Sequence, residues 1–389
     1  MLDFLYYTPT KVFFGKDKHK DVGKIIKEFG YDNIMMQYGK SSIKKSGVYD
    51  EVIKSISENG ITVTEIGGVE PNPKVSLVRE AVKIAKEKKV QMILAVGGGS
   101  VIDSSKATAT GAMTDIDIWE FSQKKAVPEK TLPVGCILTH AAAGSEMSSS
   151  TVLTNTECDM KRGFNTDLNR CIFAICNPEL TYTVGKYQTA CGIVDIMAHT
   201  MERYFTVHPP TDLTDRIAES LLVSVVSAAK VLMNDMQNYE ARATIMWASS
   251  LSHNGLTGCG RENALPVHQL EHALSGKFDS VAHGAGLAVL FPAWARYVYE
   301  KDIPRFAQFA RRVWGVTEAD DKAAAKSGIE KMAEFFKEIG MPENLRDFGI
   351  KENCSDELSY LCTFSKTRTV HSYVEMDYEV IKEIFDSCY

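Results

Sequence analysis

Through the first half of the chain, short aliphatic runs alternate with stretches whose apolar residues recur every three or four positions. NIMMQY at 33 to 38 is short, continuous and closed by Gly39, which predicts a buried strand; VYDEVIKSISENG at 48 to 60 has helical spacing and stops at Gly60. ITVTEIGG at 61 to 68 alternates like a strand, and VSLVREAVKIAKEKK at 75 to 89 is helical, with lysines gathered where the helix dipole favours cations. VQMILAVGGGS at 90 to 100 is an aliphatic strand running into glycines, and VIDSSKATATGAM after it has the pattern of a helix. Strands and helices in strict alternation predict right-handed parallel crossovers and an open α/β sheet.

After about Tyr187 the texture changes. QTACGIVDIMAHTMERYF, TDRIAESLLVSVVSAAKVLM, YEARATIMWASSLSHNGL, VHQLEHALSG, IPRFAQFARRVWG and KSGIEKMAEFFKEIG all carry helical periodicity, and strand-like alternation nearly vanishes. The shift divides the chain into an α/β domain at 1–186 and an all-helical domain at 187–389, with no repeat of fixed period and no low-complexity linker.

The 389 residues carry a net charge of -6, so there is no basic field for nucleic acid or anionic lipid, and neither is expected as a partner. The opening MLDFLYYTPTKVFFG has no basic region followed by a long apolar core, and the longest apolar runs, such as GAGLAVLFPAWA from Gly284, are shorter than a bilayer requires. Nine cysteines without a C-x-x-C pair fit reduced thiols better than disulfides or a thiolate zinc site, Cys171 and Cys176 being the nearest pair. A soluble, cytoplasmic protein is expected.

Two turns can bind a nucleotide. GGGSVID at 97 to 103 joins a buried strand to a helix, where backbone N–H groups and the helix dipole suit a phosphate and side chains would block its approach. The pattern is not G-x-G-x-x-G. YGKSSIKKSG at 38 to 47 ends an earlier strand, and ligands of open α/β sheets bind outside the carboxyl ends of strands. Gly39 stands where an acid would grip the ribose hydroxyls of NAD, and Lys40 follows it, which leaves room for NADP.

Chemistry of another kind lies in the helical half. In CGIVDIMAHTMERYF, Asp195, His199 and Glu202 fall on one helical face at i, i+4 and i+7. VHQLEHAL places His268, Glu271 and His272 on another helix, and His283 precedes a glycine turn. Together these imidazoles and Asp195 suit a divalent metal. H-x-x-E-H also matches the inverzincin metallopeptidase motif, with His268 and His272 as ligands and Glu271 activating water, but that reading leaves the whole first half without a purpose.

With YYTPTKVFFG, YGKSSIKKSG, GGVEPNP, LAVGGGSVIDSSK, AAGSEMSSS, TYT, QTACGIVDIMAHTMERYF, ENALPVHQLEHALSG and VAHGAGLAVLFPAW in this order, nearly the full chain resembles the iron-dependent alcohol dehydrogenase family, above all its butanol dehydrogenase and broad-range aldehyde reductase branch. The resemblance implies a Rossmann-like dinucleotide-binding domain followed by an all-α domain of dehydroquinate synthase-like fold, with the metal in the cleft between them. It assigns the metal, Fe2+ or Zn2+, to Asp195, His199, His268 and His283, makes Glu202 a supporting residue, and puts His272 near nicotinamide and substrate. Cofactor contacts carried over are Gly39, Ser41, Gly97, Gly98, Gly99, Ser100, Asp103, Thr139, Ser148, Lys161 and Tyr182. Where relatives carry Pro and Thr, this chain reads LTHAAAGSE, with His140, Ala141 and Ala143, and Gly185 and Lys186 replace a double proline. The implied activity is reversible hydride transfer between NAD(P)H, with NADP(H) favoured, and short-chain aldehydes such as butanal, in a homodimer. A polyol or glycerol-type dehydrogenase is the alternative inside the fold; for a phosphorylated substrate Arg261 is the nearby cation.

Overall fold

The computed structural model describes residues 1–207 and 211–389. It contains two compact units, Tyr7–Gly185, and Lys186–Tyr389 together with Met1–Tyr6. The first six residues thus depart from the expected boundary. They have no periodic pattern of their own, and the Leu2 N–H donates to the Gly260 carbonyl at 2.8 Å, which attaches them to the helical unit.

In the α/β unit the chain runs β1 (Lys11–Phe14), α1 (Val22–Glu28), β2 (Asn33–Tyr38), α2 (Ser42–Lys45), α3 (Val48–Glu58), β3 (Thr62–Ile66), α4 (Val75–Glu87), β4 (Met92–Gly97), α5 (Gly99–Ala112), α6 (Ile118–Ser122), β5 (Val134–Leu138), β6 (Ser150–Asn155), β7 (Met160–Asn165) and β8 (Phe173–Cys176). Six strands form one sheet in the order β1-β8-β5-β4-β2-β3, and every pairing in it is parallel. β2, β4 and β5 are buried along nearly their whole length, which is why they read as unbroken aliphatic runs. The chain leaves β2 outward to β3 and leaves β4 toward β5 on the other side, so the topological switch point lies between β2 and β4. The register pairs Tyr38 with Val96 and Gly97 with Leu138, so the turns after β2, β4 and β5 come out at one level of one edge. β6 and β7 form a separate antiparallel hairpin that the hydrophobic pattern did not announce.

The second unit contains α7 (Lys186–Tyr204), α8 (Asp212–Asn234), α9 (Tyr239–His253), α10 (Pro266–Lys277), α11 (His283–Val298), α12 (Ile303–Trp314), α13 (Asp321–Glu338), α14 (Ser355–Cys362) and α15 (Tyr378–Asp386), with no strand among the described residues. One correction concerns α8. Its 23 residues and a window of mean hydropathy 1.5 are long and apolar enough to cross a membrane, contrary to the expectation that every apolar run is too short. Its inner face nevertheless carries Asp215 and Glu219, both buried. Asp215 accepts from Arg261 at 2.6 Å and pairs with both terminal nitrogens of Arg305; Glu219 accepts from the Tyr204 hydroxyl at 2.7 Å and from Arg312 at 3.2 Å. Such a face is built for packing against partner helices. All nine cysteines are free thiols, with Cys171 and Cys176 fully buried.

Candidate active site

On α7, Asp195, His199 and Glu202 are 3%, 5% and 1% exposed, so their shared polar face is an interior one and not a solvated stripe. α10 starts with Pro266, fixed in φ and lacking an N–H, at its first turn. The next two donors, the N–H groups of Val267 and His268, would be unsatisfied at a helix start, and the preceding Leu265 has no capping side chain. The Glu202 carboxylate fills that place: Oε1 accepts from Val267 N at 2.5 Å and from His268 N at 3.1 Å. Its other oxygen, Oε2, pairs with His268 Nδ1. One side chain therefore caps α10 and holds the Nδ1 proton of His268, which leaves Nε2, 3.3 Å from Asp195 Oδ1, as the nitrogen open to a metal once its own proton is released.

The same device recurs at His283. Glu271, fully buried, pairs through Oε2 with His283 Nδ1, and His283 Nε2 points to Asp195 Oδ1 at 3.8 Å. The glycines of HGAG make this approach possible: a Cβ on Gly284 would stand 2.0 Å from the Cys191 carbonyl oxygen of α7, and one on Gly286 would press on the Glu271 side chain at 3.0 Å. The first turn of α11 thus lies directly against both α7 and α10.

His199 supplies the third imidazole. Its Nδ1 lies 3.3 Å from Asp195 Oδ1, yet this buried nitrogen makes no hydrogen bond. A ring nitrogen and a carboxylate oxygen thus share one small space without a proton joining them. That arrangement calls for a cation. A tetrahedral site with metal–ligand bonds of about 2.1 Å has ligand–ligand edges of roughly 3.4 Å, close to the separations seen here. Ligand atoms of Asp195, His199 and His268 all lie within 4.8 Å of one another, while His283, whose Nε2 is 3.8 Å from Asp195 Oδ1, groups as closely with Glu271 and His272. Burial, then the nearby His253, His268 and Arg203, push the His199 imidazole well below its ordinary value, keeping it neutral as a ligand must be. Burial pulls His268 down too, but Glu202 and Asp195 outweigh it and hold that imidazole at about 9.

His272 stands outside the Asp195 group. Its ring centroid is 6.4 Å from that of His268 and 5.8 Å from that of His283. The peptidase reading required Glu271 to activate water between His268 and His272; instead that carboxylate is committed to His283. Arg261, the cation considered for a phosphorylated substrate, is 5% exposed and engaged by Asp215, Thr211 and the Arg203 carbonyl. His253 and Arg203 were not anticipated: the His253 ring lies against that of His199, tilted by 52° with centroids 4.0 Å apart, and Arg203 donates to His253 Nδ1 at 3.0 Å and to the His199 carbonyl at 2.7 Å. The only sequence signals for them were one more histidine, in SLSHNG, and an arginine beside Glu202.

In the α/β unit, Gly97, Gly98, Gly99 and Ser100 form the turn from β4 into α5, beside Gly39 and Ser41 after β2 and Thr139 after β5. The glycines are packed closely within the protein itself, Gly97 most tightly. A Cβ on Gly97 would meet Val101 at 2.4 Å, one on Gly98 His140 at 3.1 Å, and one on Gly99 Ala143 at 3.1 Å. Two of the departures in LTHAAAGSE thus lie directly on this turn, and Thr139 N donates to the Gly97 carbonyl at 3.0 Å. Asp103 and Ser148 face inward. Asp103 accepts from Ser145 Oγ at 2.5 Å and from Val152 N at 2.9 Å, and its burial raises its carboxyl against the pull of Lys106. Ser148 is 1% exposed, its hydroxyl 3.3 Å from Lys106 Nζ. Lys106, fully buried and unforeseen, also donates to the carbonyls of Ser145, Ser148 and Ser150 and so organises the whole loop behind the glycine turn. Lys161 lies on β7, and Tyr182 follows the turn Pro178–Thr181. A recess of about 410 Å³ lined by Asp32, Thr62 and Lys88 opens at the opposite edge, away from all these residues.

The family model described as iron-containing alcohol dehydrogenase matches residues 9–178, and that of the Fe-containing alcohol dehydrogenase family, C-terminal, matches residues 189–389. The chain belongs to the iron-containing alcohol dehydrogenase family. The dehydrogenase is 42% identical to a probable NADH-dependent butanol dehydrogenase 1 of Bacillus subtilis, over 92% of this chain and 93% of the relative. It is 34% identical to the NADPH-dependent aldehyde reductase YqhD of Escherichia coli, over 90% of each. Among solved structures, the NADH-dependent butanol dehydrogenase A of Thermotoga maritima superposes with a TM-score of 0.96 at 36% identity, covering 100% of this dehydrogenase and 99% of the other chain.

Proposed function

We propose that this alcohol dehydrogenase transfers hydride reversibly between NAD(P)H and short-chain aldehydes such as butanal, with one divalent cation, Fe2+ or Zn2+, held by Asp195, His199, His268 and His283. The observation that carries the reading is the convergence of three imidazoles on Asp195, two of them with Nδ1 tied to a buried carboxylate. When bound, the cation acts as a Lewis acid on the substrate oxygen and the nicotinamide carries the hydride. The chain's own part is geometry and field. Glu202 and Glu271 keep the Nε2 lone pairs of His268 and His283 directed inward, and the buried walls of α7 and α10 limit water. His272 gives the proton to, or takes it from, the alcohol oxygen. The N–H groups at the start of α5 receive the pyrophosphate, with the helix dipole behind them.

Gly39 in place of an acid, followed by Lys40, supports NADP(H) over NAD(H). The commitment of Arg261 to Asp215 withdraws the cation considered for a phosphorylated substrate and speaks against that alternative. The nine free thiols fit work in the cytoplasm, as a homodimer in this reading. The test is oxidation of NADPH and of NADH with butanal by protein stripped of metal and reloaded with iron or zinc. Turnover restored by one metal is expected; none under any combination would refute the assignment.

A further inference from the structure

The glycine turns after β2 and β4 account for a pyrophosphate but leave the residues just beyond β2 and β3 without a task. The chain leaving β3 folds back over the end of β2: Gly68 N donates to the Gly39 carbonyl at 3.0 Å and Val69 N to the Tyr38 carbonyl at 3.2 Å. Only glycines permit this. A Cβ on Gly67 would stand 2.6 Å from the Tyr38 ring, and Gly68 has a φ of +92°. Beyond the buried Val69 the loop presents Glu70, whose Oε1 is 2.6 Å from Lys40 Nζ.

The neighbouring cation is otherwise occupied. Lys44 sits over the rings of Tyr38 and Tyr49, at 5.1 and 4.7 Å, and both phenols donate to Glu65. Lys45, at the end of α2, adds a further charge, but of the cations just beyond β2 it is Lys40 that pairs with an acid arriving from the β3 loop. Where an open α/β sheet reads NAD, an acid at the end of the second strand accepts from the ribose hydroxyls. Here the acid arrives from the adjacent strand's loop, already paired with the lysine that a 2′-phosphate would seek.

We propose that Lys40 and Glu70 together set the choice between the two nicotinamide dinucleotides, Lys40 receiving the 2′-phosphate of NADP(H) and Glu70 competing with that phosphate for it. The proposal rests on the dinucleotide reading above. A 2′-phosphate must displace the Glu70 carboxylate and then endure its repulsion, whereas a 2′-hydroxyl meets an acceptor. Both side chains are largely exposed, 68% for Lys40 and 44% for Glu70, so substitution leaves the core intact.

Direct binding to the full chain tests the idea without turnover, using the fluorescence of NADPH and NADH and competition by 2′,5′-ADP and 5′-AMP. Exposed ion pairs are weak individually, and a phosphate of nearly two charges adds to the effect, so Glu70→Gln is expected to tighten NADPH and 2′,5′-ADP by about fivefold to tenfold. NADH and 5′-AMP should move less than about twofold, since neither carries the added charge. Lys40→Gln should weaken the 2′-phosphorylated pair by a similar factor, and both shifts should shrink as salt screens them. A Glu70→Gln variant whose NADPH to NADH ratio stays put, or in which both dinucleotides shift together, overturns the proposal. Wild-type protein that binds neither dinucleotide would instead overturn the reading beneath it.

Discussion

Replacing Glu202 by Gln separates a helix cap from a support for metal binding. The wild-type carboxylate takes two backbone N–H groups on Oε1 and the His268 Nδ1 proton on Oε2. Gln keeps one oxygen acceptor, so α10 retains most of its cap, but its NH2 now faces His268 Nδ1. The imidazole answers by moving its proton to Nε2, the nitrogen 3.3 Å from Asp195, and the lone pair needed there is lost. Loss of such an outer carboxylate typically costs tenfold to 100-fold in metal affinity, about 1.4 to 2.7 kcal/mol. The lost charge-assisted hydrogen bond should lower the stability of metal-free protein by about 1.5 to 3 kcal/mol. Titration of zinc into metal-free protein against a competing chelator reads the first quantity, and unfolding of the same samples followed by circular dichroism reads the second. Affinity within twofold of wild type, with stability reduced, would reduce Glu202 to a cap and refute the tautomer argument. An Asp195→Asn variant that kept metal better than Glu202→Gln would overturn the ligand set itself.

Glu271→Gln should weaken metal in the same way through His283, and by less, because His283 Nε2 is 3.8 Å from Asp195 against 3.3 Å for His268; an equal or larger loss in the same titration would contradict this ordering. Asp215→Asn leaves Arg261 and Arg305 buried without their anion and should destabilise the chain by about 3 to 5 kcal/mol, read by denaturant unfolding at neutral pH. Although burial works the other way, Arg305 and Arg261 hold the Asp215 carboxyl below its ordinary 3.8, so its contribution is present above that value and lost as pH falls through the lower folded one. The gap between wild type and Asp215→Asn should therefore close only below about pH 4, and a gap that instead narrowed on the alkaline side would refute the assignment.

How much of this was legible in the sequence follows from how local each feature is. β2, α3, β3, α4, β4 and α5 follow the hydrophobic period because each buries a face set by residues two, three or four apart. The β6–β7 hairpin does not, because it is half-buried and is held by Asp103 and Lys106, some fifty positions or fewer upstream, through Val152 N and the Ser150 carbonyl. The pairing of Asp195 with His199 is visible as an i, i+4 step. Glu202's partner lies 66 residues away, and no spacing rule on one helix could connect a carboxylate on α7 with the orphan N–H groups of α10. Glu271 misled for the opposite reason. Its neighbours His268 and His272 suggested a peptidase motif, while its actual partner, His283, is on the next helix. In the same way α8 passes the hydropathy test for a membrane because its ion pairs with Arg261 and Arg305 are invisible until the helices are packed.

The charges gathered around Asp195 imply a last measurement. Asp195, Glu202 and Glu271 are three buried carboxylates, and Arg203, buried beside them, is one cation. Buried charge needs a partner. A proton on His268, which Glu202 and Asp195 favour, brings the positive count to two and leaves one carboxylate uncompensated. A divalent cation with Arg203 makes three against three with every imidazole neutral, the state that burial imposes on His199. Metal binding should therefore be folding energy as well as chemistry. At a thousandfold excess over its dissociation constant the cation adds about 4 kcal/mol to the folded state. For a chain of this size an unfolding entropy of about 2.1 cal/mol/K per residue makes each kcal/mol worth little more than about 1 °C, so chelation should lower the melting temperature by roughly 5 °C and stoichiometric zinc or ferrous iron should restore it. In Asp195→Asn the same chelation should change little. A wild-type melting temperature indifferent to chelator would mean that the three carboxylates are balanced by something other than a metal, and the site would need another explanation.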